Sequence, residues 1–383
     1  MYYLKLFDED LISFNIDNKF GFAVTDVKVL SDDIKIFPVK LQKNITEETI
    51  EDFAKSRIIP KNRAFVQTIL ETAGLNINDR KAIIDVSKGL SLTDSYWIVQ
   101  DNSLKFKDYN LYDNDFSKIL SLVAFTGYSS KVSELVTSPE FTTNGMLPKA
   151  WRKLYGKIYL YKGSTESYHY ANTGFEPYSE FYASQVAKKM GVSCVEYSLN
   201  SWKKMLSSTC ELFTSKDVSY VQIGDIVLSG GIKKVAEYIK KLGFEKKFAD
   251  MILFDALCVN TDRHYGNFGL LRDNHTGEFV DFAPIFDNGE SLLSKTLPAT
   301  FENINEFKEY IEKPEINISY YGVSYDDLVR EFCDKSHIKM LRKLLDFEFE
   351  KHARYNLQSK RLKCLNYMIN SRARRYIDII ENK

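Results

Sequence analysis

The stretch "VNTDRHYGNFGLL", residues 259–271, gathers Asp262, Arg263, His264 and Asn267 between two apolar runs. Polar side chains crowded on a loop between core elements are where binding and catalytic groups concentrate. Three chemistries fit such a loop: holding a metal, moving a proton, or turning the chain. Asn267 follows Asp262 by five residues, and Asp287 follows Asn267 by twenty. The intervening "FGLL…GEFVDFAPIF" reads as a β-hairpin turned by "RDNHTG". Taken singly, loop Asp and Asn residues most often serve turns and helix ends. In this order, with a hairpin between them, the set supplies two hard oxygen donors for a divalent cation and a separate carboxylate that can take a proton from a hydroxyl.

Protein kinases use the same arrangement of a loop Asp, an Asn five residues on, a hairpin and a second Asp. Phosphoryl transfer demands it, because charge spread over a polyphosphate must be neutralised while an incoming hydroxyl is oriented. Asp262 suits the proton, and Asn267 and Asp287 suit the metal. His264 is open to two roles, touching a phosphate or holding the loop through a backbone carbonyl. Arg263 reads as a residue that keeps the loop in shape.

Upstream, "KIYLYK" (157–162) alternates as a strand, with Ile158, Leu160 and Lys162 on one face. An ammonium at the rim of an apolar face needs an anionic partner. "EPYSEFYASQVAKKMG" predicts a helix with Pro177 in its first turn and Gly191 just past its end. On it Glu180 shares the inward stripe with Ala183 and Ala187, and an inward carboxylate also needs a partner. A Lys162–Glu180 pair that presents its ammonium to phosphate satisfies both. The plainer alternative has Lys162 snorkelling to solvent and Glu180 at a domain edge.

"NTDRHYGNFGLL" with "FAPIFDNGES" resembles the C-terminal lobe of the HipA-type serine/threonine kinases, the toxin-kinase family, whose distant fold relatives, the phosphatidylinositol kinases, also carry a DRHxxN loop. "NGMLPKAW" (144–151) resembles that family's phosphate-binding loop and "CELFT" (210–214) its lobe-connecting hinge, so the likeness runs from about residue 137 to 291. The loop has neither a GxGxxG nor a Walker A pattern, and Gly145 is the lone glycine between Ser138 and Trp151.

The resemblance implies an α+β, bilobal kinase-like fold and ATP- and Mg²⁺-dependent transfer of the γ-phosphate to serine or threonine of a protein substrate. It implies Asp262 as the catalytic base, and Asn267 and Asp287 as metal ligands. Gly145, Lys149, Lys162, Glu180 and His264 fall at the phosphates, and Glu211 and Phe213 at the adenine. In the family a loop hydroxyl can be autophosphorylated, and Thr142 and Thr143 precede Gly145. An antitoxin or regulatory protein is the partner such kinases imply. Two other readings are open: a lipid or small-molecule phosphotransferase, and a non-catalytic nucleotide sensor.

These residues must be positioned by a chain of 383 residues with 44% apolar and 14% aromatic content, enough for more than one core. The sequence predicts an N-terminal accessory domain (1–131, mixed α/β), a small α+β lobe (132–214) and a mainly helical lobe (215–383). In the first, "KFGFAV" and "IKIFPVKL" read as strands. One helix is expected from Asn44, with Glu47 completing a capping box, and another from Lys61 to Ala73, stopped by Gly74. "VSCVEYSL" and "STCELFT" read as strands, and "KKFADMILFDALCVN" as a helix with a wide apolar face. Lys+Arg and Asp+Glu balance at 52 each, and the basic C-terminal helix reads as a solvated face, so nothing directs the chain to nucleic acid. Five scattered cysteines without CxxC spacing indicate neither a zinc site nor a disulfide framework, and reduced, mostly buried thiols are expected. The acids in "MYYLKLFDEDLISF" interrupt any leader-like apolar run, and no later run is long enough to span a bilayer, so a soluble cytoplasmic protein is expected.

Overall fold

The computed structural model describes residues 1–18, 21–130, 137–165 and 174–383. The expected boundary at 131/132 lies outside the described residues. The chain divides into two compact units: residues 1–162 with 211–221 and 270–281, and residues 163–210 with 222–269 and 282–383.

The first unit opens with strands β1 (Tyr2–Leu6), β2 (Glu9–Asp17) and β3 (Ala23–Val29), which join β4 (Tyr96–Val99) in a sheet of order β3-β2-β1-β4. Its pairings are antiparallel. Leu4, Ile12 and Phe14 from the sheet are buried with Ile50 and Phe53 of helix α1 (Glu47–Ser56), Ile69 and Leu70 of α2 (Val66–Thr72), and Ile83 and Ile84 of α3 (Arg80–Ser87). Helix α4 (Lys118–Thr126) adds Leu120, Val123 and Ala124 to the same core.

Three expectations shift here for local reasons. The cap of α1 is Thr46 rather than Asn44, because Thr46 and Thr49 satisfy each other's backbone N–H groups and Glu47 becomes the first helical residue. Helix α2 begins at Val66 rather than Lys61, since Phe65 adopts a left-handed φ of 58° that cannot continue from an upstream turn. "IKIFPVKL" forms a short 3₁₀ turn, Ile34–Ile36, capped by Asp33, and Pro38 lacks the N–H a ladder would need.

Strands β5 (Lys149–Leu154) and β6 (Lys157–Lys162) form an antiparallel hairpin with Lys149 directly opposite Lys162. Tyr155 and Gly156 turn it with φ of 52° and 77°, which suits the twist of a two-residue hairpin.

In the second unit lie helix α5 (Glu176–Met190) and the antiparallel hairpin of β7 (Tyr197–Trp202) and β8 (Met205–Glu211), whose last residue, Glu211, belongs to the first unit. Helix α5 runs as its sequence predicts, with Pro177 in the first turn and Gly191 in the left-handed cap. Strands β9 (Val218–Gln222), β10 (Gly269–Asp273) and β11 (Phe279–Phe282) form a sheet of order β11-β10-β9, most of which lies in the first unit. The short helix α6 (Ile223–Ile226), α7 (Gly231–Lys241) and α8 (Glu245–Cys258) follow β9. Helices α9 (Ile304–Ile311), α10 (Tyr325–Phe332), α11 (Ile338–Arg342) and α12 (Ser359–Glu381) complete the unit. Residues Met251 to Cys258 of α8 are all buried, so this helix is surrounded by its neighbours, and the polar loop springs from its end. None of the helices among the described residues is long and apolar enough to cross a membrane.

Candidate active site

The loop after α8 is fixed by its own polar groups. Val259 caps the helix in the left-handed region (φ 52°), turning the chain sharply. Asn260 then donates to the Asp255 carboxylate at 3.0 Å and accepts the Asp262 N–H at 3.1 Å. The Tyr325 hydroxyl, from α10, donates to the Asn260 carbonyl at 2.6 Å. Within the loop the Asp262 carbonyl accepts both the His264 N–H and the Asn267 side-chain amide, each at 2.8 Å. The side-chain amide nitrogen of Asn267 is thus used within the loop itself.

Arg263 is the pin. Its guanidinium is buried and donates to Asp255 through Nε and Nη2, at 2.9 Å each. It also reaches the Asn267 carbonyl at 2.9 Å, the Phe286 carbonyl at 2.5 Å and Asn288 Oδ1 at 2.7 Å. One side chain thereby ties the Asp262–Asn267 loop to the segment on either side of Asp287. Burial works against both charges and lifts the Asp255 carboxyl above its ordinary range. For Arg263 the same burial is outweighed by Asp255, which holds the guanidinium firmly charged.

Asp287 itself is in the left-handed region, φ 54°, unusual for a residue other than glycine. Its N–H donates to the Tyr197 hydroxyl at 3.2 Å, and the next N–H, of Asn288, donates to Glu180 Oε2 at 2.9 Å. Ser179 donates to the Ser291 carbonyl at 2.8 Å, so α5 grips both sides of the Asn288–Ser291 segment. Glu180 is thus an inward, buried carboxylate that acts on the backbone next to Asp287. Asp262 is partly exposed. Burial first, and then the nearby Glu290 carboxylate, raise its pKa above the ordinary aspartate value, with Asp287 adding to the effect and His264 and Lys295 opposing it.

His264 accepts the Gly266 N–H at Nδ1, at 3.0 Å, so this ring nitrogen serves the loop's own shape. A Cβ on Gly266 would fall 2.8 Å from the His264 ring, so glycine is needed for this approach.

In the first unit, Gly145 and Lys149 meet closely. Gly145 has φ +94°, and a Cβ built on it would lie 2.2 Å from Lys149 Nζ. The ammonium therefore rests against the face of the glycine, in a conformation other residues rarely adopt. Lys149 begins β5 rather than standing in the loop, and both it and Lys162 opposite are buried. Opposed residues of an antiparallel pair share one face, so two ammonium groups project from the same side of the hairpin. Thr142 and Thr143 are both engaged: Thr142 donates to the Leu90 carbonyl at 2.7 Å, and Thr143 donates to the Pro139 carbonyl at 2.6 Å while accepting the Trp151 indole N–H.

In the 210–214 segment, the exposed Glu211 pairs with Lys157 at 2.7 Å, and the Leu212 N–H donates to the Ile158 carbonyl at 2.9 Å. Phe213 meets Tyr220 edge-on, with centroids 5.8 Å apart. Gly145, Lys149, Lys162, Glu211 and Phe213 therefore stand in the first unit, and Glu180, Asp262, His264, Asn267 and Asp287 in the second.

Sequence reasoning passed over Asp255, Asn288 and Tyr197. Asp255 carried a signal: a carboxylate in the middle of an apolar helix demands a cation, and Arg263 stands eight residues on. Asn288 and Tyr197 carried none, because their roles depend on which chain segments meet.

The fold and this loop arrangement define a class, the fold of the HipA-type kinases. The chain superposes over 100% of its length on HipA in a Shewanella oneidensis MR-1 complex of HipA, HipB and operator DNA, with a TM-score of 0.53 at 13% identity and 99% of that chain covered. It also matches the Helicobacter pylori proinflammatory kinase CtkA, with a TM-score of 0.52 at 20% identity, over 63% of this chain and 92% of that one. In sequence, it is 30% identical over 131 residues to the serine/threonine-protein kinase CtkA of H. pylori, a match spanning 30% of this chain and 40% of the relative's length. No protein-family model matches the chain.

Proposed function

We propose that this protein is an ATP- and Mg²⁺-dependent kinase that phosphorylates serine or threonine on a protein substrate. The observation that carries the reading is Arg263, whose one guanidinium fixes the Asp262–Asn267 loop and the backbone beside Asp287 as a single piece. A proton acceptor and two oxygen donors held together in this way suit phosphoryl transfer. The likeness to CtkA in both sequence and fold supports the same reading.

Asp262 orients the acceptor hydroxyl and takes its proton, and its raised pKa keeps it a better base than an ordinary aspartate. Lys149 and Lys162 steady the phosphates, with Gly145 allowing close approach. Backbone of 211–213 seats the adenine, though the Leu212 N–H is already engaged with Ile158. Among the described residues no cluster of three or more His, Cys, Asp or Glu is placed to hold a metal by itself. Mg²⁺ takes one or two protein oxygens and completes its shell with phosphate and water. Asn267 and Asp287 would hold it, and when bound it neutralises polyphosphate charge. We read 132–214 and 215–383 as the two lobes. The HipA relative is found in a complex with HipB and operator DNA, and a protein partner of this kind is part of the proposal.

The test is incubation of the purified chain with γ-labelled ATP and Mg²⁺, with Asp262→Ala and Asp287→Ala in parallel. Labelled serine or threonine is expected in protein, and is expected to vanish in both variants. Nucleotide binding with no label in any protein would leave a sensor, and label confined to a lipid or small molecule would move the activity to that class.

A further inference from the structure

Beneath the Gly145 loop lies a buried ion pair that the catalytic reading does not use. Arg63, from the segment between α1 and α2, donates through Nη2 to Glu140 Oε2 at 2.7 Å, and both side chains are fully buried. The same nitrogen donates to the Lys149 carbonyl at 2.9 Å. Glu140's other oxygen accepts the Trp151 N–H at 2.8 Å. The next residue, Ala64, donates its N–H to the Met146 carbonyl at 3.2 Å. So Arg63 and Ala64 hold the loop at Met146, at Lys149 and, through Glu140, at Trp151.

The pair is a poor device for stability alone. Arg63 Nε and Nη1 have no hydrogen-bond partner among the described residues. Burying a guanidinium with two nitrogens unsatisfied is costly, and well-packed apolar side chains in place of such a pair are often neutral or stabilising. Burial lowers the pKa of Arg63 and pushes Glu140 up to about 7, which expresses the same cost. What an apolar pair could not supply is a donor aimed at the Lys149 carbonyl and an acceptor aimed at the Trp151 N–H.

We propose that Arg63, from the N-terminal region, is a positioning residue that sets the phosphate loop in register for nucleotide, acting through Glu140 and the Lys149 carbonyl. The region read from sequence as an accessory domain then takes part in nucleotide binding without touching nucleotide. This rests on the kinase reading.

The test compares the full chain with Arg63→Met/Glu140→Met, which removes both charges together so that neither is left buried alone, and with Glu140→Gln as a milder change. Two measurements are made: amide hydrogen exchange of residues 142–149 without nucleotide, and KM and kcat for MgATP. Faster exchange in the loop with KM raised at least about tenfold and kcat changed much less supports the proposal. The Glu140→Gln protein is expected to move the same way by a smaller factor. A folded double variant with wild-type exchange overturns it, as does faster exchange with KM unchanged. If the wild-type chain binds no MgATP at all, the kinase reading fails and the proposal falls with it. The exchange data, taken without nucleotide, separate that case from a failure of the loop coupling.

Discussion

Arg263 and Asp255 are joined by two hydrogen bonds of 2.9 Å inside the second unit, eight residues apart on either side of the end of α8. The bond makes the helix end and the Asp262–Asn267 loop one rigid piece, and the remaining Arg263 donors extend that piece to Phe286 and Asn288.

Arg263→Met is therefore expected to strand the buried Asp255 carboxylate and to free both loops at once. Breaking one side of a buried pair costs about 3–5 kcal/mol, so a large drop in the urea midpoint should accompany loss of activity. Arg263→Lys should recover little, since a lysine has no planar fork to reach Asp255, Asn267, Phe286 and Asn288 together. A lysine variant with wild-type stability and rate would show that the multiple contacts are incidental.

The pH profile gives a second test. Asp262 has a folded-state pKa raised above its unfolded value, first by burial and then by Glu290. Its contribution to stability is therefore present below the unfolded value and lost as pH rises through the folded one. On the proposed mechanism activity runs the opposite way, because Asp262 as base must be ionised, so kcat/KM should fall at an acid limb above the ordinary aspartate value of about 3.9. Glu290→Gln removes the neighbouring negative charge and is expected to move that limb downward. A limb that stays in place would mean that Glu290 does not act on the base.

How much of this was legible in the sequence follows from which contacts are local. The hairpin around "RDNHTG", helix α5 with Pro177 and Gly191, and strand 157–162 were all readable, because alternation, turn residues and caps are properties of short windows. The Asp262–Asn267 loop was readable for the same reason, its bonds closing within a few residues. The start of α2 was not, because a left-handed Phe65 is imposed by surroundings that no window contains. Nor was Arg63: its partners Glu140 and Lys149 lie 77 and 86 residues away. The N-terminal region, without a motif, looked like a separate module, yet its segment 57–66 holds the loop that bears Gly145.

Lys149 and Lys162 give the last prediction. They stand opposite each other on β5 and β6, both buried and on one face of the hairpin. Residues directly opposed on an antiparallel pair point the same way, so on the proposed reading both ammonium groups meet the polyphosphate from one side. MgATP at 100 times its Kd should accordingly stabilise the protein by about 2.7 kcal/mol, seen as a rise in Tm. Lys149→Met and Lys162→Met should each sharply reduce that rise, and the double variant should abolish it. Because the interaction is with charge, raising the ionic strength should shrink the wild-type shift and leave any residual shift in the double variant unaltered. A full nucleotide-dependent rise in the double variant would show that the phosphates are held elsewhere, and would detach the hairpin from the nucleotide site.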